Sequence, residues 1–293
     1  MAVSPGETGA STLRRRVLVK VGGETLRDPA DRARLAADLR GVVEAGADLC
    51  VVHGAGPQIT ALASQLGLAS TFRGGRRVTD EPMLAAVALA MAGEVGPHLL
   101  AACLAAGVKG VSTPAASAGT VVGRKRPPRA VAGEPDLVDF GLVAEIASVQ
   151  PGMIEALWAA GLVPLLSSLV ADAQGQLLNL NADSLVTALT EALHFDDVVL
   201  VTGVPGVFGD LADPTSHMPN LTDTDLPDLV AKGVVKGGMI PKLEEVATIL
   251  RRGASAVWIV GFREPGALTQ ALCGGPGVRT VVRRAIAPAG QQL

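Results

Sequence analysis

Two lysines stand where a hydrophobic core has no use for them. Lys20 follows the apolar run Val17-Leu18-Val19 and precedes Val21-Gly22-Gly23, and Lys242 closes Gly237-Gly238-Met239-Ile240-Pro241. Each adjoins glycines at the junction of a strand or loop with a helix, so each sets a cation beside bare backbone N–H groups. That pairing suits a phosphate, which needs donors and positive charge at close range. Two such places in one chain suggest one phosphoryl group held from both sides. The plainer reading of the second is a Gly-rich turn into a helix with Pro241 in its first turn.

Three further clusters carry polar groups at element ends. His53-Gly54-Ala55-Gly56-Pro57-Gln58 follows an apolar run and opens a helix, the context of an anion-binding turn. It is no dinucleotide fingerprint, because the third glycine of G-x-G-x-x-G would fall at Ile59, and no Walker A sequence exists. Arg77, in Arg76-Arg77-Val78-Thr79-Asp80, precedes the helical stretch from Glu81, where it can fork onto a carboxylate or simply be solvated at a cap. In Asn179-Leu180-Asn181-Ala182-Asp183, Asn181 and Asp183 can cap the following helix and complement its dipole, whereas Asn179 lies outside the cap.

Taken together, two lysines, an acid able to sit between them, an arginine and an asparagine are what phosphoryl transfer to a carboxylate requires. Lysines neutralise the charge spread over the equatorial oxygens of the transition state. A carboxylate acceptor is already ionised at neutral pH, so no general base is needed. Only four histidines are present, and none forms an evident acid–base pair.

The remaining composition narrows the field. The 293 residues are 48% hydrophobic, ample for a large core, but the apolar runs are short and interrupted, so no membrane span is expected. Net charge is −3 and aromatics are 2% with no tyrosine, which removes both the electrostatic footprint and the stacking platform of a nucleic-acid binder. The basic cluster Arg124-Lys125-Arg126 is read as a solvated hairpin tip, with the holding of an anionic ligand as the alternative. Cys50, Cys103 and Cys273 lie alone in apolar stretches and are expected to be core thiols; no spacing suits zinc. The opening residues lack a secretory pattern, so a short tail over 1–14 and a cytoplasmic location are expected.

Positioning these groups falls to an alternation of strands and helices. Apolar β-rich runs recur at 16–21, 48–53, 109–113, 162–169, 197–202 and 256–260, separated mostly by helical periodicity. This predicts a mainly parallel sheet covered on both faces. Helices are predicted from Asp28-Pro29 to Gly46, from Pro57, from Asn181 and from Met239 to Arg251-Arg252-Gly253. Residues 114–150 read as hairpins covering a site, and 203–228 as loops or a surface excursion.

These blocks resemble the amino-acid kinase family, in its acetylglutamate kinase branch, in order from about Val17 to Val282. The family's K-x-G-G, H-G-G-G-P, G-L-R-V-T, N-x-N-A-D and G-G-M-I-x-K appear as Lys20–Gly23, His53–Pro57, Gly75–Thr79, Asn179–Asp183 and Gly237–Lys242. The resemblance implies an open, mostly parallel three-layer αβα sandwich with two lobes, 15–194 for acceptor binding and dimerisation and 195–293 for the nucleotide. It implies phosphorylation of the γ-carboxylate of N-acetyl-L-glutamate by ATP, with Mg2+ held mainly by the nucleotide phosphates, no protein metal site, and a homodimer.

Lys20, Lys242 and Asp183 would then be catalytic, with Asp183 positioning both lysines. Ala55, Gly56, Arg77 and Asn179 would hold the acceptor, and Gly22, Gly23, Gly203, Gly206 and Gly238 the nucleotide. The chain departs from the family at Ala55 and Gly203, at Ala115–Ala118 where G-K-D-G is usual, and in lacking a histidine near Arg263–Gly266. No long N-terminal helix is expected before β-rich residues 16–21, hence neither a hexameric ring nor inhibition by arginine. A kinase for a related acidic acceptor such as N-acetyl-aminoadipate, or a weakly active regulatory relative, is the alternative.

Overall fold

The computed structural model describes residues 14–285 apart from Lys236, so the expected N-terminal tail falls outside the described residues except for Arg14. β1 (Arg16–Val21) leads to α1 (Pro29–Glu44), which starts where the Asp28 carboxylate accepts from the N–H of Ala30. β2 (Asp48–His53), α2 (Gly56–Gln65) and the small hairpin β3 (Phe72–Arg73) and β4 (Arg76–Arg77) follow. The Asp80 carboxylate then accepts from the N–H of Met83 and caps a long helical run. It comprises α3 (Glu81–Ala88), a π-helical segment Leu89–Val95 and α4 (Gly96–Ala105).

β5 (Gly110–Pro114), the antiparallel β6 (Val121–Lys125) and β7 (Ala144–Val149), and α5 (Gly152–Ala159) come next. The run expected as one strand at 162–169 divides at Ser168 into β8 (Val163–Ser167) and β9 (Leu169–Ala171), which enter different sheets. After β10 (Leu177–Asn179), the side chain of Asn181 accepts from the N–H groups of Asp183 and Ser184 and starts α6 (Ala182–Leu193). β11 (Asp197–Thr202) is followed by a hairpin of β12 (Val207–Phe208) and β13 (His217–Met218), then β14 (Asn220–Thr222) and α7 (Asp225–Ala231). The chain closes with α8 (Met239–Arg251), β15 (Ala256–Gly261), α9 (Ala267–Cys273) and β16 (Arg279–Arg283).

The main sheet has the order β14-β16-β15-β11-β1-β2-β8-β5, and every adjacent pair is parallel except β15 with β16. Alternate residues of the central strands feed two cores. Val17, Val19 and Val21 pack with Leu35, Leu39, Val87 and Leu268 on one face. Leu18, Cys50 and Leu200 pack with Leu185, Leu189, Leu243 and Val246 on the other. The result is the three-layer αβα sandwich with a mostly parallel sheet. A second sheet, β10-β9-β6-β7, carries the predicted hairpin region beside it.

Two expectations are corrected here. Cys273 is exposed at the end of α9 rather than buried. The helical run Glu81–Ala105 is, by length and composition, long and apolar enough to cross a membrane. Its alanine-rich sequence hides this from a search for unbroken Val/Leu runs. In the fold it is a core helix, with Met83, Val87, Met91, Val95 and Leu99 buried against the sheet.

The departure at Ala115–Ala118 also acquires a physical meaning. Ala118 has φ +52°, the left-handed region, within a turn that continues into Gly119 at φ +69°. An L-residue with a Cβ pays about 1–2 kcal/mol there, partly offset in glycine by lost backbone entropy. Ala118→Gly is therefore expected to stabilise the fold by about 0.5–1 kcal/mol, read as a shift of the urea midpoint at constant slope.

Candidate active site

β1 is the strand at which the sheet order reverses: β2, β8 and β5 lie to one side and β11, β15 and β16 to the other. A crevice at the carboxyl ends of the strands belongs at such a switch point. Because side chains alternate, Lys20 points to the same face as Leu18, toward α6 and α8. Its Nζ lies 2.6 Å from Asp183 Oδ1 in the first turn of α6 and 3.8 Å from Glu245 Oε1 in α8. One helical turn before Glu245, α8 also supplies Lys242.

This four-group cluster is internally uneven. Burial disfavours the charge on Lys20, but Asp183 and Glu245 together outweigh it and hold the ammonium above the ordinary lysine value. Lys242 moves the other way: burial and then the nearby Lys20 lower its pKa, and the two carboxyls offset this only in part. Asp183 thus bridges Lys20 directly, while Lys242 forms no salt bridge among the described residues. Glu245 is largely buried, its side chain 13% exposed, with Oε1 lacking any hydrogen-bond partner. Burial, followed by repulsion from Asp183, pushes its pKa up to about 7. The sequence reading missed Glu245, although its place three residues after Lys242 puts both on one side of the helix.

Beside this cluster lies a cavity of about 220 Å³, lined among others by Ala55, Gly56, Arg76, Arg77, Arg126, Asn179 and Asn181. Ala55 has φ −144°, so its methyl group costs the turn nothing in backbone strain. Gly23 is fixed by close approach: a Cβ there would meet Gln58 Oε1 at 2.7 Å and Pro57 Cδ at 2.8 Å. Gln58 Nε2 donates to the Gly23 carbonyl at 2.8 Å, tying the loop after β1 to the turn after β2. Arg77 lies over the ring of Phe72 and donates from Nη1 to Ser70 Oγ at 2.7 Å and from Nη2 to Thr60 Oγ1 at 2.8 Å. Asn179 Nδ2 donates to Thr79 Oγ1 at 3.1 Å.

The glycines assigned to the nucleotide fall in three places. Gly22 and Gly23 follow β1, Gly238 precedes α8, and Gly203 and Gly206 lie in the loop after β11, the neighbour of β1. Gly206 is packed, with Thr280 Oγ1 2.8 Å from where a Cβ would be, whereas Gly22 and Gly238 have open space. His53 is fully buried with neither ring nitrogen hydrogen-bonded, and burial pushes its pKa down to about 4. It is therefore neutral at physiological pH. Among the described residues, no group of three or more His, Cys, Asp or Glu side chains is disposed to hold a metal.

An open parallel sheet with a lysine–carboxyl cluster at its switch point and a basic cavity alongside defines an α/β protein built to hold anionic small molecules. Residues 15–261 match the amino acid kinase family. The acetylglutamate kinase of Anaeromyxobacter dehalogenans strain 2CP-C is 41% identical over 87% of this chain and 95% of its own. By structure, the chain is similar to the N-acetylglutamate synthase of Neisseria gonorrhoeae, solved with coenzyme A and N-acetyl-glutamate. The TM-score is 0.78 at 21% identity, covering 94% of this chain and 61% of that one. The carbamate kinase of Giardia lamblia, solved with AMP-PNP, superposes with a TM-score of 0.66 at 15% identity over 93% and 99%. The chain belongs to the amino acid kinase family.

Glu245 yields a pH-dependent expectation. Its carboxyl is raised in the folded state, so its penalty is absent below the unfolded value of 4.5, grows as pH rises, and is complete above about 7. Glu245→Gln removes that penalty. Melting curves are expected to coincide near pH 4.5 and to separate by on the order of 2–3 kcal/mol in favour of the variant at pH 8.

Proposed function

We propose that the protein transfers the γ-phosphoryl group of ATP to the γ-carboxylate of N-acetyl-L-glutamate. The observation that carries this reading is the juxtaposition of the Lys20–Asp183–Lys242–Glu245 cluster with the basic cavity at the ends of β1 and β2. The identity of about 40% to acetylglutamate kinases over most of the chain supports it. The first lobe, 15–194, supplies the acceptor pocket and Lys20, and the second, 195–293, supplies Lys242 and the loops proposed for the nucleotide.

The donor set suits a triphosphate: two lysines, open backbone at Gly22 and Gly238, and the N-termini of α2, α6 and α8 at one edge. Lys20, Lys242 and the backbone N–H groups beside Gly22, Gly23 and Gly238 would hold the phosphates, with Gly203 and Gly206 shaping the loop next to them. Mg2+ carried on those phosphates supplies further neutralisation of the same charge.

The chemistry asks little of the chain beyond placement and charge. A γ-carboxylate oxygen, oriented by the N–H groups around Ala55 and Gly56, forms a bond to the γ-phosphorus as the bond to the ADP oxygen breaks. The products are an acyl phosphate and ADP, and no proton moves. Lys20 and Lys242 neutralise the equatorial oxygens while Asp183 holds Lys20 in place. Arg77 and Asn179 orient the α-carboxylate. We further propose a homodimer, supported by the outward apolar side of the Glu81–Ala105 helix, where Leu89 and Leu104 are each 57% exposed.

Incubation with N-acetyl-L-glutamate, ATP and Mg2+, with the acyl phosphate trapped by hydroxylamine, is expected to give hydroxamate and stoichiometric ADP. Lys242→Ala should lower kcat by about 10²–10³-fold with a smaller change in acceptor KM. Turnover no greater than that of the variant would sink the reading, and N-acetyl-aminoadipate in the same assay separates the neighbouring acceptor.

A further inference from the structure

Of the four groups in the lysine–carboxyl cluster, Glu245 is the one to which the transfer described above gives no task. Its Oε1 is buried and has no hydrogen-bond partner. It is also a poor counter-ion for Lys20, because Asp183 already takes that ammonium at 2.6 Å and Glu245 Oε1 stands off at 3.8 Å, beyond hydrogen-bond range. An ionised Glu245 therefore faces a second carboxylate across the crevice with little to satisfy it. A neutral one does not: the carboxyls of Asp183 on α6 and Glu245 on α8 stand close enough to share a hydrogen bond once Glu245 carries a proton.

The charged neighbours of Glu245 are few. β1 contributes Lys20, α6 contributes Asp183, and its own helix contributes Lys242. β15 carries no charged side chain, and on α7 Asp225 accepts from Thr222 while Asp228 and Lys232 pair with each other at the surface. Glu244 is exposed, and Glu191 near the far end of α6 pairs with Arg252. The charge of the crevice thus turns on one proton. Two lysines against two carboxylates leave no net charge, whereas two lysines against Asp183 alone leave a positive one.

We propose that Glu245 couples nucleotide binding to proton uptake: the crevice takes the triphosphate with Glu245 neutral and hydrogen-bonded to Asp183, a proton entering from solvent as the phosphates arrive. This rests on the reading of the crevice as a phosphate site. Phosphate oxygens held by Lys20 and Lys242 bring negative charge up to the same carboxyl, and like charge disfavours its ionised form. The proton then stays on Glu245 through the transfer, which itself moves none. Glu245 is a positioning residue, acting through Asp183 and through the charge that it withholds.

Burial and Asp183 already put the Glu245 pKa at about 7 in the free protein, so the coupling falls around neutrality. Bound phosphate raises it further. Nucleotide affinity is therefore highest below about 7 and declines above it, by up to about tenfold per pH unit until the pKa of the bound state is passed.

Calorimetry with Mg-ATP and no acceptor tests this by comparing the parent chain with Glu245→Gln. Glutamine keeps the shape and the donor toward Asp183 but cannot ionise, and the nucleotide's own titration is common to both proteins. The two are expected to bind alike near about pH 6 and to diverge above neutrality, until near about pH 8.5 the variant binds about tenfold tighter. Repeating the titrations near about pH 7.5 in buffers of different ionisation heat should show the parent taking up about half a proton more than the variant. A ratio of affinities that stays constant with pH, or equal proton uptake, overturns the proposal and leaves the kinase reading standing. Failure of both proteins to bind Mg-ATP overturns the nucleotide reading and the proposal with it. Proton-coupled binding without hydroxamate refutes the kinase reading alone.

Discussion

The constraint on which the site depends is a cation near the end of a central, largely buried strand. β1 is flanked on both sides and covered on both faces, and an ammonium carried there must be compensated within its own surroundings. Asp183 at 2.6 Å does most of this, and it can do so because Asn181 caps the start of α6, presenting the carboxylate in the first turn at the positive end of the helix. The N-cap, the acid and the lysine are thus one unit. The cap sets the helix start, the start sets the position of Asp183, and Asp183 keeps Lys20 charged and aimed at the crevice. Strand order adds the rest, since reversal at β1 leaves room above it for a ligand that neighbouring loops can reach from both sides.

Glu245 turns that unit into a balanced cluster. Two lysines and one acid would carry a surplus positive charge suited to phosphate; a second ionised acid would cancel it. With its pKa raised to about 7, Glu245 is divided between the two conditions near neutrality. Its unpartnered Oε1 and the depressed pKa of Lys242 are two sides of one fact: α8 brings an acid and a base into a crevice lacking enough partners for either. An arrangement completed only by ligand is a stability cost, and functional sites are where such costs are retained.

How much of this was legible in the sequence depends on whether the signal was local. The caps at Asp28 and Asn181 and the β1, β2, β11 and β15 runs were readable, because capping and alternation act over a few residues. Ser168 was not. The break between β8 and β9 follows from which sheet each half joins, a long-range matter that a continuous apolar run conceals. Among the site residues, Lys20, Asp183 and Lys242 announced themselves by being charged beside apolar runs and glycines. Glu245 did not, since a second glutamate in Glu244-Glu245 on a helix looks like solvated surface until α6 and β1 are placed beside it. Arg126 was misjudged for a related reason: β6 ends at Lys125, and of the three basic residues Arg124 and Lys125 stay exposed while Arg126, just past the strand, is buried.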